Sequence, residues 1–243
     1  MKKAEDAMGY LLWDYYHQHD VLEIVEREDG YIDYGRVGPA IYFSDYKDWP
    51  VGEKKAIKYA RGRVLDLGCG AGRVGLYLQR KGHDVMGIDN SPMAVKVCRE
   101  RGLNSVKCLP VTQLSSRLGI FDTLVMFGNN FGLMGNYKRA RWLFKRFYGM
   151  TSDRGRIIAQ SIDPYNTDKP EHKRYHALNK KRGRMGGQIK LRIRHRDYVG
   201  YWFDYLLVSK KEMRDIVKDT GWKINTFIDT KGPFYHAIID KIM

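Results

Sequence analysis

The chain has 243 residues, 43% of them hydrophobic, and a formal net charge of +15. Its length suffices for one α/β core with additional segments, and no apolar run approaches the roughly 20 residues that a membrane span requires. Cys69, Cys98 and Cys108 lack metal-ligand spacing, and no apolar signal core follows the N-terminal residues. We therefore predict a cytoplasmic protein without a bound metal, and the oligomeric state stays open.

The N-terminal residues, 1–55, are predicted to form a cap segment because they are too few to bury a core of their own. Residues 4–19 carry apolar positions at helical spacing, and an Asp-Gly pair predicts a small hairpin at 24–33. Residues 56–243 are predicted to form the main domain.

The middle of the chain alternates between apolar runs typical of buried strands and amphipathic runs typical of helices. The predicted strands lie at 63–67, 84–89, 105–108, 121–126 and 155–161. The predicted helices lie at 73–81, 92–101, near 112–117 and between Asn136 and Gly149. This alternation implies a parallel sheet, whose ligands sit beyond the carboxyl ends of its strands.

The last third of the chain departs from that pattern. An insertion at about 165–208 begins with a polar, basic loop to residue 187 and continues into a strand at 189–194 with an antiparallel return. Ser209 and Glu212 form a capping box that predicts a further helix, and a hairpin closes the chain at 222–242.

The most informative stretch is Val64–Arg73, a buried strand that runs into the glycines Gly68, Gly70 and Gly72. Such a loop lets a ligand lie against the backbone at a helix N-terminus. Gly70 to Gly75 also match the dinucleotide fingerprint G-x-G-x-x-G, but the carboxylate of Asp66 would repel a pyrophosphate. It would favour the ammonium and sulfonium of S-adenosylmethionine (SAM).

The next strand ends in a second carboxylate, Asp89, which can accept hydrogen bonds from both ribose hydroxyls of an adenosine. Ser91-Pro92 then opens a helix. The pattern Asp66-x-Gly68-x-Gly70-x-Gly72, followed by Gly87-Ile88-Asp89-x-Ser91-Pro92, resembles the class I SAM-dependent methyltransferases. The resemblance covers about residues 60 to 163.

This resemblance implies an α/β, Rossmann-like three-layer sandwich with a mostly parallel seven-stranded sheet that ends in an antiparallel hairpin. An N-terminal helical lid and a basic β insertion would be added to it. The expected SAM-binding residues are Asp66, Gly68, Cys69, Gly70, Gly72, Arg73, Asp89, Asn90, Met93, Pro110, Val111 and Phe127. Many family members place an acid after the third strand to bind adenine; here Leu109 to Val111 stand there, and their backbone groups are the expected substitute.

The methyl acceptor is less well specified. Asn129 and Asn130 lie where amino-methyltransferases of nucleic acids carry Asn/Asp-Pro-Pro-Tyr/Phe, but the two prolines are missing. Either Asn is a candidate to accept a hydrogen bond from a substrate amine, with Phe131 stacking on it; a loop that only skirts SAM explains them equally well. Further candidates for a base or an aromatic wall are Tyr16, His17 and Tyr42.

Positive charge is concentrated in residues 169–196, where eleven Lys or Arg stand against one acid. In the strand at 189–194, Lys190, Arg192 and Arg194 share one face because alternate residues of a strand point the same way. This segment fits a nucleic-acid surface, a site for an anionic small substrate, or a solvated surface.

The sequence thus predicts a SAM-dependent methyltransferase that acts on a small or unidentified acceptor. One alternative is an RNA methyltransferase that uses the basic segment 169–196 on tRNA or rRNA. A second alternative is a SAM-binding module without catalysis. An NAD-linked oxidoreductase would rest on the Gly70–Gly75 match alone.

Overall fold

The computed structural model describes residues 2–35 and 38–242. The N-terminal segment holds α1 (Ala7–Tyr16), β1 (Ile24–Arg27), β2 (Ile32–Asp33) and α2 (Val51–Ala56). Asp6 begins α1 by accepting a hydrogen bond from the Gly9 N–H at 3.1 Å. The predicted hairpin is present, because β1 and β2 pair antiparallel with Val25 opposite Asp33.

The central elements follow the predicted alternation. They are β3 (Val64–Leu67), α3 (Arg73–Arg80), β4 (Val85–Asp89), α4 (Pro92–Glu100), β5 (Val106–Cys108), β6 (Phe121–Met126), α5 (Tyr137–Tyr148) and β7 (Thr151–Ile162). Ser91 caps α4 and Asn136 caps α5, as their positions in the sequence predict. The predicted helix near 112–117 forms two 3₁₀ turns instead, Val111–Gln113 and Ser116–Leu118.

The remaining elements are α6 (Pro170–Lys181), β8 (Gln188–His195), β9 (Tyr198–Val199), β10 (Phe203–Leu206), α7 (Lys210–Val217), β11 (Trp222–Asp229) and β12 (Phe234–Lys241). The prediction of a continuous loop over 165–187 is wrong, because α6 lies inside it. Pro170 occupies the first turn, and Tyr175 and Asn179 bury one side of the helix. The Asn179 amide donates to the Gly186 and Gln188 carbonyls, which fixes the helix against the following turn.

Among the described residues, seven strands form one sheet in the order β11–β12–β7–β6–β3–β4–β5. β4 pairs parallel with β5 and β6 with β7, whereas β12 runs antiparallel to both β7 and β11. This confirms the predicted mostly parallel sheet with its final antiparallel hairpin. A second sheet has the order β10–β8–β1–β2, so the basic strand pairs with the N-terminal hairpin.

The chain divides into two compact units. Unit 1 comprises the residues up to Trp49, Leu65–Gln113 and Lys190–Phe203; unit 2 comprises Pro50–Val64, Leu114–Ile189 and the residues from Asp204 onward. In unit 1 the fully buried side chains include Leu12, Leu65 and Leu78. In unit 2 the Trp222 indole is buried and donates to the Phe144 carbonyl at 2.8 Å. None of the described helices is long and apolar enough to span a bilayer.

Candidate functional site

The glycine loop of unit 1 connects β3 to α3 and folds back on the neighbouring strand. The N–H groups of Gly68 and Cys69 both donate to the Ile88 carbonyl at 2.9 Å. Gly70 and Gly72 have φ values of +54° and +79°, a region that glycine enters without steric cost. Gly70 and Gly72 therefore leave the backbone bare at two positions just before the α3 N-terminus.

Asp66 lies at the end of β3 and is buried beneath this loop. Its Oδ2 accepts a hydrogen bond from the Gly75 N–H at 3.1 Å. Because the residue that precedes α3 is Gly72, which has no capping side chain, Asp66 satisfies that helix terminus from the preceding strand. Burial raises the pKa of Asp66 to about 7, although the Gly75 N–H and the Arg73 charge oppose the shift. A nearby ammonium group would therefore find a carboxyl that ionises readily at neutral pH.

Asp89 lies at the end of β4 and holds the loop from the other side. Its Oδ2 accepts from the Gly70 N–H and its Oδ1 from the Ser91 N–H, both at 2.9 Å. Burial raises the pKa of this carboxyl, and the nearby Asp6 carboxylate adds to the effect. Each carboxylate oxygen has a second lone pair, so Asp89 can also accept hydrogen bonds from two hydroxyl groups of a ligand.

Asp6 is a third buried carboxylate at this position, and the sequence analysis missed it. While Oδ1 caps α1, Oδ2 accepts from the Met93 N–H in the first turn of α4 at 3.1 Å. Burial raises its pKa. An Asp that precedes apolar residues at helical spacing is the local signal of a helix N-cap. The predicted helix began at residue 4, before Asp6, so this position was not identified as the cap.

The remaining residues expected around SAM fall into different environments. Cys69 is buried with its Sγ 3.8 Å from that of Cys98, which itself donates to the Gly70 carbonyl. The Arg73 guanidinium lies 4.5 Å from the centroid of the Trp49 ring and so contacts the cap segment. Pro110 and Val111 are half-buried and follow Leu109, whose N–H donates to the Asp89 carbonyl at 2.7 Å.

The N-terminal candidates for a base or an aromatic wall surround α1. Tyr16 and Tyr42 pack against a buried cluster that contains Leu12 and Ala71, and the Tyr42 hydroxyl donates to Glu23 at 2.9 Å. His17 lies 3.3 Å from the Glu100 carboxylate, at the C-terminal end of α4. Because α4 rises about 1.5 Å per residue, Glu100 lies roughly 12 Å along the helix from the N-terminus of α4 beside Asp89.

In unit 2, Asn129 follows the carboxyl end of β6 in a left-handed conformation, with φ +65°. Its N–H donates to Gln160 Oε1 at 2.8 Å, and its carbonyl accepts from the Tyr205 hydroxyl at 2.7 Å. The Gln160 amide donates in turn to the buried Glu53 carboxylate at 3.3 Å. Within the described residues, the buried Oδ1 atom of Asn129 has no hydrogen-bond partner.

The other residues of this loop lie differently. Asn130 begins a 3₁₀ turn, Asn130–Met134. Phe127 is buried, with its ring 5.4 Å from that of His236. Phe131 is also fully buried, 6.3 Å from the Phe144 ring, so the expectation that it stacks on a substrate is wrong: its ring belongs to the hydrophobic core.

The cationic strand has acidic neighbours that its own sequence does not reveal. In β8, Arg192 donates to Glu26 of β1 at 2.8 Å, and Arg194 lies 3.6 Å from the same carboxylate. The hydrogen bond from Arg192 holds the pKa of Glu26 below its usual range. The Arg192 guanidinium also lies 4.6 Å from the Trp202 ring centroid. This face, which Lys190 shares, is therefore partly neutralised.

The fold and these loops define a class of protein. A sequence model of the methyltransferase domain matches residues 64–155. Residues 64–155 are thus similar to that domain, and the chain has the fold of a SAM-dependent methyltransferase, as the resemblance in the sequence indicated.

Particular relatives fall in the same class. A SAM-dependent methyltransferase from Bacteroides fragilis, solved with S-adenosyl-L-homocysteine (SAH), is 24% identical with a TM-score of 0.85, covering 100% of this chain and 98% of that one. Magnesium protoporphyrin IX methyltransferase from Synechocystis, solved with SAH, is 17% identical with a TM-score of 0.54, covering 98% and 95%.

A curated relative, 2-heptyl-1-hydroxyquinolin-4(1H)-one methyltransferase from Mycobacteroides abscessus, is 36% identical over 70 residues. The match covers 26% of this chain and spans 31% of the relative.

Proposed function

We propose that the chain is an enzyme that transfers a methyl group from SAM to a small-molecule acceptor. The observation that carries this proposal is the pair of buried carboxylates, Asp66 and Asp89, hydrogen-bonded to a glycine loop that enters a helix N-terminus. Bound SAM supplies a methyl group activated by its sulfonium. The protein must then align the acceptor and exclude water.

The residues of unit 1 suit SAM better than a dinucleotide. Asp66 would offset the charge of the α-ammonium, and Asp89 would accept hydrogen bonds from the ribose hydroxyls. The buried carboxylate of Asp66 next to the loop would repel a pyrophosphate, the more so as water is excluded. The cap proposed for residues 1–55 is supported by the position of α1, whose Leu12 side chain lies next to the glycine loop. A Cβ added at Gly70 would be 4.0 Å from that side chain.

Asn129 supports an acceptor that presents an N–H or O–H group. Both polar groups of its backbone are held, and a buried carbonyl oxygen without a partner costs about 1–3 kcal/mol. An acceptor that donates a hydrogen bond to Oδ1 would recover that free energy and become oriented. Two of the relatives are named for small-molecule substrates, a hydroxyquinolone and magnesium protoporphyrin IX.

We also propose a cytoplasmic location. All three cysteines are free thiols, including the adjacent pair Cys69 and Cys98. Free thiols are typical of a reducing compartment.

The cofactor assignment is tested by isothermal titration with SAM, SAH and NAD. The wild-type protein should bind SAM and SAH but not NAD. Asp66→Ala and Asp89→Ala each remove a charged hydrogen-bonding group worth about 1.5–3 kcal/mol, so each should weaken SAM about 10- to 150-fold. Asp153→Ala, at an exposed position of β7, is the matched control and should bind as the wild type does. Unchanged affinity in both site variants would refute the assignment.

The acceptor assignment is tested by incubating the protein with SAM and 2-heptyl-1-hydroxyquinolin-4(1H)-one, and by following methylated product and SAH by mass spectrometry. Asn129→Gly keeps the left-handed backbone and removes the side-chain amide. We expect it to lower kcat/KM at least 10-fold without changing SAM affinity. SAM binding without methylation of this probe or of other small hydroxyl and amine compounds would favour the non-catalytic module.

A further inference from the structure

The basic insertion brings a tyrosine to the residue that follows Asp89. The Nδ2 of Asn90 donates a hydrogen bond to the Tyr201 hydroxyl oxygen at 2.6 Å. Tyr201 lies between β9 and β10, 129 residues after Gly72 of the glycine loop, and it belongs to unit 1 with Asp89 and Asn90. The sequence analysis did not include it among the candidate site residues.

The hydroxyl of Tyr201 is set up to donate. Its oxygen accepts a hydrogen bond from Asn90, so its proton remains available for another acceptor. Burial raises the pKa of Tyr201, and the carboxylates of Asp89, Asp6 and Glu5 raise it further. The phenol therefore keeps its proton at neutral pH, and its hydrogen bond to Asn90 holds the hydroxyl at the residue next to Asp89.

The segment around Tyr201 is held in place by its neighbours. The Tyr198 ring stacks on Tyr10 of α1, with centroids 4.0 Å apart and planes within 4°. The Gly200 N–H donates to the Ile193 carbonyl of β8 at 2.8 Å. Phe203 meets the Tyr201 ring edge-on at 6.0 Å. Tyr201 itself remains 44% exposed, so its hydroxyl is reachable.

We propose that Tyr201 is a cofactor-binding residue whose hydroxyl donates a hydrogen bond to a ribose oxygen of SAM. This is the same ribose whose hydroxyls would donate hydrogen bonds to Asp89. The inference rests on the proposed function, since it requires an adenosine at Asp89. It gives the basic insertion a role in the cofactor site that does not depend on its charge. Each ribose hydroxyl can donate to a carboxylate and accept from a phenol at the same time.

The test combines Tyr201→Phe with ligands that lack one ribose hydroxyl. SAH, 2′-deoxy-SAH and 3′-deoxy-SAH are titrated into the wild type and the variant by calorimetry. A neutral hydrogen bond predicts that Tyr201→Phe weakens SAH about 3- to 10-fold. The same substitution should have no effect on the deoxy analogue that lacks the contacted oxygen. Tyr165→Phe, which removes a hydroxyl bonded to Glu212 in unit 2, is the matched control and should leave every affinity unchanged.

The outcomes separate the two proposals. Equal loss for SAH and both deoxy analogues, or no loss for SAH, overturns the contact with Tyr201. If SAH binding still depends on Asp89 in that case, the proposed function stands. If the wild-type protein does not bind SAH, the proposed function fails and this inference with it. Thermal melting of Tyr201→Phe without ligand should match the wild type, because the side chain is partly exposed.

Discussion

Asp66 combines a structural role with a chemical one. The same carboxyl that accepts the Gly75 N–H and so completes the α3 N-terminus is proposed to face the ammonium of SAM. Water is largely excluded from it, which is why burial shifts its pKa so far from that of a free aspartate. The burial of this carboxyl thereby makes the stability of the unliganded protein sensitive to pH.

The first prediction concerns the pH dependence of stability. The folded pKa of Asp66, about 7, lies above the 3.8 of a free aspartate, so the folded protein binds this proton more tightly than the unfolded chain. Its stabilising contribution is complete below about pH 4 and decreases as the pH rises through about 7, by at most about 1.4 kcal/mol per pH unit.

Urea unfolding of the ligand-free protein at pH 5 to 8 measures this effect. In Asp66→Asn the amide oxygen can still accept from the Gly75 N–H while nothing titrates, so its free energy of unfolding should vary less over that range. Asp6 and Asp89 are present in both proteins, so the difference isolates Asp66. Parallel curves for the two proteins would contradict the prediction.

At the scale of elements, a buried hydrogen bond joins α1 to β8. His195, fully buried, places its Nε2 2.9 Å from Asp14 Oδ2, while its Nδ1 lies 3.1 Å from the Leu22 carbonyl. Burial opposes ionisation of Asp14, but the hydrogen bonds from His195 and His19 and the Arg196 charge together hold its pKa below the usual range. This contact connects the first helix to the basic strand within unit 1.

The second prediction tests that connection. His195→Phe leaves Asp14 without its buried partner and should lower the free energy of unfolding by about 2–3 kcal/mol. Asp14→Asn and the double variant complete a cycle, whose coupling energy should exceed about 0.5 kcal/mol if the pair acts directly. Additive effects in urea unfolding would show that the two residues contribute independently.

The third prediction addresses the cationic strand. Since Arg192 and Arg194 share Glu26, substituting Lys190, Arg192 and Arg194 together by Gln should cost about 1 kcal/mol of stability. We expect bulk tRNA to bind weakly, with a salt dependence from about 50 to 200 mM that matches that of a charge-matched control. The control replaces Lys145, Lys218 and Lys223, which are exposed and lie outside residues 169–196, by Gln. A flatter salt dependence in the β8 variant alone would support the RNA methyltransferase alternative.

The elements that could be predicted are those with local signals. Ser91 before Pro92, Asn136 and the Ser209–Glu212 box mark helix starts within a few residues, and all three are correct. Helix α6 was missed because its buried residues, Tyr175 and Asn179, are too few to give a periodic apolar pattern.

Contacts between distant segments could not be predicted. Glu26 and Arg192 are separated by 166 positions, and Asn90 and Tyr201 by 111. A single sequence shows the alternation of apolar and polar residues that indicates a strand, but it does not show which strand pairs with it. The pairing of β1 with β8 could therefore not be predicted. Asp66 and Asp89 could be found because a glycine loop and a strand end fix their positions locally, whereas Asp6 and Tyr201 reach the same unit only through the folded chain.

At the scale of the whole molecule, every residue proposed to bind the cofactor, apart from Phe127, falls in unit 1, although the unit is assembled from three separate stretches of sequence. A ligand that binds the folded form stabilises it according to its concentration and affinity. The structural response to SAH should therefore be concentrated in these stretches rather than along the chain from one end to the other.

The fourth prediction follows this response by hydrogen exchange. At about 100 times its dissociation constant, SAH should slow local opening of the glycine loop, residues 68–72, and of residues 198–203 by up to about 100-fold. Amides of the β11–β12 hairpin, which lie in unit 2, should exchange at unchanged rates. Asp89→Ala, at the same SAH concentration, is the control: with its SAH affinity weakened about 10- to 150-fold, it should show only about 2- to 11-fold protection in either stretch. Equal protection of the hairpin and the loop would mean that SAH acts on an opening shared by both units, and absence of protection at 198–203 alone would exclude the insertion from the cofactor site.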